Sequence, residues 1–85
     1  MDLERALAII DEAADAASNL DTLNEAQLEA LQFVWDSCSN RQVRDAVEGF
    51  VHCFSWRDNA IGRFHSANAN RNRIRRLICR PVLRP

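Results

Sequence analysis

Apolar residues recur at helical spacing through most of this chain, and the places where the recurrence fails mark the turns. From Leu3 to Ala17, the residues Leu3, Ala6, Leu7, Ile10, Ala13, Ala14 and Ala17 share one face. Glu4, Asp11, Glu12 and Asp15 lie opposite, so the pattern predicts an amphipathic first helix. Ser18-Asn19-Leu20-Asp21 breaks it. Thr22 with Glu25 then has capping-box spacing, which predicts a second helix from about Leu23 to Cys38. Its polar side is a narrow ridge of Glu25, Glu29, Gln32 and Asp36, leaving an apolar arc of roughly 220° that includes Leu28, Leu31, Phe33, Val34 and Trp35. One neighbour cannot cover so wide an arc, so this helix is expected at the centre of the bundle or at a dimer interface.

Ser39 with Gln42 repeats the capping spacing and opens a third helix. Val43, Ala46, Val47, Phe50, Val51 and Phe54 form its apolar stripe, and Arg44, Asp45, Glu48 and His52 its polar face. Ser55 to Asn59 reads as a turn or a new cap, and Gly62 disfavours helix by about 1 kcal/mol relative to alanine. The last helix is therefore expected to start near Ser66 to Asn70. It carries Ala67, Ile74, Leu77 and Ile78 on one face and Arg71, Arg73, Arg75, Arg76 and Arg80 around the rest. Pro81 stops it. The expected architecture is all-α, a small compact bundle of three to four helices, with residues 1–80 as one domain and 81–85 as an extended Arg/Pro tail. A chain of 85 residues buries only about 60 to 65% of its unfolded surface, which makes a homodimer plausible from size alone.

One stretch resembles a known family. Leu23-Asn24-Glu25, then Leu28 and Leu31, then Ser39-Asn40-Arg41-Gln42-Val43 are similar to the scaffold half of the helix-turn-helix domain of LuxR-type transcription regulators. The likeness covers about a quarter of the chain. It departs at Arg44, where that family has a small residue, and after Val47, where no well-spaced recognition helix follows, so no DNA-contacting role is transferred.

Charge changes the picture more than composition does. Residues 1–56 hold eleven of the twelve carboxylates and three arginines, a net of −8, whereas residues 57–85 hold eight arginines and only Asp58, a net of +7. The formal total of −1 thus conceals a dipolar molecule. Every basic residue is arginine, which fits both a GC-rich coding source and a use for planar bidentate contacts. Such a split either braces the fold, with the arginines of the last helix reaching Glu4, Asp11 or Asp15, or presents a surface to a partner.

Two binding readings follow. In the first, a protein partner is held by acidic faces and aromatic anchors, with Glu4, Asp11, Asp15, Glu25, Glu29, Phe33, Trp35 and Asp36 as candidate residues. In the alternative, Arg71, Arg73, Arg75, Arg76 and Arg80 bind nucleic acid, though no aromatic residue lies among them to stack on bases. The protein reading is preferred: a small inhibitor or adaptor of the sort phages and mobile elements carry, its acidic half imitating a nucleic-acid backbone. No enzyme is expected. His52, His65, Cys38, Cys53 and Cys79 lack metal-ligand spacing, glycine-rich phosphate loops are absent, and no cofactor is implied. An odd number of cysteines, an acidic N-terminal start and no apolar run of about 18 residues suggest a reducing cytoplasm, with no leader peptide and no membrane span.

Overall fold

The computed structural model describes residues 1–20, 22–56 and 58–78. They form four helices, α1 (Leu3–Asp15), α2 (Glu25–Ser37), α3 (Arg41–Cys53) and α4 (Ala60–Ile78), with a short 3-10 turn at Ala17–Asn19 after α1. Among the described residues there is no strand, and the all-α bundle expected from periodicity is what forms. The Arg/Pro tail at 81–85 lies outside the described residues.

The helices start at asparagines and an aspartate, and for α2 and α3 the cap lies one or two residues from the expected one. Asp2 caps α1, its side chain accepting from the Arg5 amide at 2.8 Å. Asn24, not Thr22, caps α2. Its Oδ1 accepts from the Gln27 amide and Gln27 Oε1 accepts from the Asn24 amide, both at 2.8 Å, so the capping box is real but shifted by two residues. Asn40, not Ser39, caps α3 by accepting from the Gln42 amide at 2.7 Å.

The largest correction concerns α4, which begins at Ala60 rather than near Ser66. Asn59 supplies the reason. Its Oδ1 accepts from the Gly62 amide and its carbonyl from the Arg63 amide, both at 2.9 Å. A Cβ on residue 62 would lie 2.5 Å from that Asn59 side chain, so the glycine that weakens the helix also makes room for its cap. A second close approach joins α3 to α4, where a Cβ on Gly49 would lie 2.9 Å from the Asn70 amide.

Each helix sends a fully buried side chain to one core: Ile10 from α1, Val34 from α2, Val43, Phe50 and Cys53 from α3, and Ile74 from α4. Phe50 and Phe54, at the C-terminal end of α3, pack with their rings tilted and centroids 5.6 Å apart. The helix in the middle is α4, which lies against α3, α1 and the 3-10 turn. The second helix is not central, which was one of the two places its wide arc had suggested, the other being a dimer interface. It packs on α1 and meets α3 only along a narrow line, so part of its apolar arc faces outward.

Candidate functional site

The outward part of that arc forms one wall of a groove. Leu28, Leu31 and Trp35 of α2 face Val47, Val51 and His52 of α3 across a volume of about 840 Å³. Leu31 and Val47 are buried and make the floor. Leu28 and Val51, on opposite walls, remain 47% and 41% exposed. Val51 thus leaves the buried stripe in which its spacing had placed it.

Arg44 fixes how the two walls meet. From α3 its Nε donates to the Cys38 carbonyl at 3.1 Å and its Nη2 to the Trp35 carbonyl at 3.3 Å, which satisfies carbonyls left unpaired at the C-terminal end of α2. The guanidinium also lies 5.1 Å from the centroid of the Trp35 ring, a cation–π contact that holds the indole at the groove. A small residue at this position would give neither contact.

The acidic ridge of α2 runs along one lip. Gln32, which lines the groove, donates from Nε2 to Asp36 Oδ1 at 3.0 Å, and Glu25 and Glu29 are exposed beside it. Phe33 and Trp35 are not brought together. Both are half-buried and pack on the core, but Trp35 lines the groove while Phe33 lines a separate hollow with Met1, Glu29 and Asp36. The exposed Glu4 stands apart from both, in the first turn of α1.

Four of the remaining candidates, Asp11, Asp15, Arg71 and Arg75, form a charged seam between α1 and α4. Arg75 Nε donates to Asp11 Oδ2 at 2.9 Å and Oδ1 at 3.0 Å, and its Nη2 also contacts Oδ2. Arg71 Nη1 reaches Asp11 Oδ1 at 3.4 Å and Asp15 Oδ1 at 3.7 Å. The spacing of four residues puts both arginines on one face, and Asn68 on the same face donates to the Ala14 carbonyl at 3.0 Å while accepting from Arg71 Nη2 at 2.6 Å. Partial burial pushes the Asp11 carboxyl up, but Arg75 and then Arg71, by hydrogen bond and charge, outweigh it and hold the carboxyl below its ordinary value of 3.8. Among the described residues, Arg73 and Arg76 make no ion pair. Arg80 lies outside the described residues.

Sequence reasoning missed Arg63. Only 3% exposed, it donates from Nε to the Ala17 carbonyl at 2.6 Å, from Nη2 to Ser18 at 3.2 Å and from Nη1 to Trp56 at 2.7 Å. One guanidinium thus clamps the 3-10 turn after α1 to the turn between α3 and α4. The signal was its position on the same helical stripe as Ala67 and Ile74, a place where a charged residue needs a buried partner.

Burial pushes the Cys53 thiol above its ordinary 9.0, against a weaker pull from the Ser66 hydroxyl and the Arg63 charge, so it stays protonated at neutral pH and is a poor nucleophile. Among the described residues no group of three His, Cys, Asp or Glu side chains is placed to hold a metal ion. Nor is any described helix long and apolar enough to cross a membrane. No protein-family model, no curated protein and no solved structure matches this chain.

Proposed function

We propose that the chain is a non-enzymatic interaction module of the inhibitor or adaptor type, and that the α2–α3 groove is where it holds a protein partner. The observation that carries this reading is the pair Leu28 and Val51, large apolar side chains half-exposed on facing walls above a floor that belongs to the core. Exposed leucine and valine contribute little to stability where they stand, and a partner that covered them would gain their burial. The unpaired Cys38 and Cys53 fit a reducing cytoplasm as the setting.

The double variant Leu28→Gln/Val51→Gln tests it. Both positions are exposed, so unfolding should move by no more than about 0.5 kcal/mol per site. A discrete protein retained from host lysate by the native chain should be lost by the variant. Retention of the same protein by a folded variant refutes the groove as the binding surface.

A second reading has one observation in its favour: Arg73 and Arg76 carry charge that no described residue neutralises. Against it, Arg71 and Arg75 already meet carboxylates. Binding of duplex DNA or structured RNA that weakens steeply with salt, and is lost on Arg73→Gln/Arg76→Gln, would promote nucleic acid over protein.

A further inference from the structure

The inference concerns what occupies the α2–α3 groove, and it rests on the reading of that groove as a docking surface. We infer that the occupant is a cationic amphipathic helix of a different protein, laid along the groove with its basic flank against the Glu25, Glu29 and Asp36 ridge.

The shape argues for a helix. Each wall is a helix of 13 residues, about 20 Å long, which matches three to four turns of a third helix. The walls are made of mid-helix side chains whose backbone groups are bonded within α2 and α3. They offer no row of free N–H and C=O groups, so an extended peptide would be covered with its own backbone unpaired. A helical occupant satisfies its backbone internally and needs only apolar anchors at i, i+3 or i+4, and i+7 to meet Leu28, Trp35 and Val51.

Charge selects the kind of helix. Glu48 of α3 lines the groove, and the α2 lip carries Asp36, bonded to the lining Gln32, with Glu25 and Glu29 exposed on the same ridge; against these four carboxylates stands the guanidinium of Arg44, a net of −3. Arg44 is already turned onto the α2 carbonyls, and the excess lies on the α2 lip. An acidic or neutral helix would leave that lip desolvated without compensation, whereas lysine or arginine beside the apolar face would steer and orient the encounter.

The same charge argues against a second copy. Pairing this groove with its own image brings two rims of net −3 together. Nor do the described helices offer a suitable ligand. The exposed face of α1 is acidic, and the exposed stripe of α4, from Ile61 through His65 and Asn72 to Arg76, has one large apolar residue.

Three labelled peptides of about 18 residues test the inference against the full chain by fluorescence anisotropy: an amphipathic leucine–lysine helix, a leucine–glutamate helix with the same apolar face, and a leucine–lysine peptide of scrambled order. The ordered lysine peptide should bind about tenfold or more tighter than the other two. It should lose about tenfold on Leu28→Gln/Val51→Gln and several-fold on Glu25→Gln/Glu29→Gln. The matched pair Glu4→Gln/Glu12→Gln, exposed carboxylates of α1, should leave affinity within about twofold.

Equal losses from the two glutamate pairs would reduce the binding to non-specific attraction and overturn the inference. So would a glutamate peptide that binds as well as the lysine peptide; if that binding still needs Leu28 and Val51, the groove stands and only its charge preference falls. Failure of all three peptides, with a lysate partner still lost on Leu28→Gln/Val51→Gln, overturns the helix while sparing the docking surface. Failure of the peptides with that partner retained removes both. A dimer in solution that the groove variant dissolves would make the occupant a second copy and likewise overturn the inference.

Discussion

Replacing Arg63 by methionine keeps an apolar stem in the core and removes every donor that clamps the Ala17, Ser18 and Trp56 carbonyls. Hydrogen bonds from a charged donor contribute about 1.5 to 3 kcal/mol each, and three are lost. The variant also escapes the cost of burying a guanidinium, which offsets part of that loss, so a net destabilisation of about 3 kcal/mol is expected. For a domain of this size that lowers the thermal midpoint by about 12 to 24 °C. Helical circular dichroism followed through thermal and urea unfolding measures both quantities. Arg63→Lys should recover about half of the loss, since one ammonium cannot reach the turn after α1 and the turn before α4 together as the planar fork does. A loss below about 1 kcal/mol for the methionine variant would refute the clamp. A lysine variant as stable as the native chain would refute the need for a fork.

Further outcomes follow from the seam and the caps. Asp11 has a folded pKa below its ordinary value, so its contribution is present above the unfolded pKa and is lost as pH falls through the folded one; the urea midpoint should drop between about pH 5 and pH 2, and Asp11→Asn should flatten that drop. Asn24→Ala should cost about 1 kcal/mol and Thr22→Ala close to nothing, a contrast read by chemical denaturation that inverts if the cap lies at Thr22. At Gly49, valine would drive its branches into the Asn70 amide and should destabilise by about 1 to 3 kcal/mol in the same assay.

Much of the fold was legible because burial imposes period. Leu7, Ile10, Val34, Val43, Phe50 and Ile74 all came from stripes that the sequence displays, and all are buried. The caps moved because Thr22 and Asn24, or Ser39 and Asn40, are both competent acceptors, and only the geometry of the preceding turn chooses between them. The start of α4 was missed because the cost of Gly62 outweighed the cap that Ser55 to Asn59 offered, and the Arg63 clamp that offsets that cost is not visible in sequence. Charge segregation announced a seam, and the i, i+4 spacing of Arg71 and Arg75 decided which arginines entered it once α4 lay beside α1. The groove was half legible. The wide arc of α2 gave one wall, but Val51, which looked like core, stands exposed at the groove.

The seam has a consequence for the order in which the protein is made. Asp11 meets Arg71 and Arg75 across about sixty residues of chain, so α1 leaves the ribosome well before the helix that completes it. Until α4 emerges, α1 can shelter its leucines and alanines only against α2, and the carbonyls of Ala14, Ala17 and Ser18 have none of the donors that Asn68 and Arg63 later supply. A nascent chain stalled before residue 63 therefore holds α1, α2 and α3 with the apolar faces that α4 covers still open, a target for chaperones and proteases. Closing the loop costs an entropy that grows only with the logarithm of its length, and the fourth helix repays it in one step, with a buried guanidinium at one end and an ion-paired carboxylate at the other.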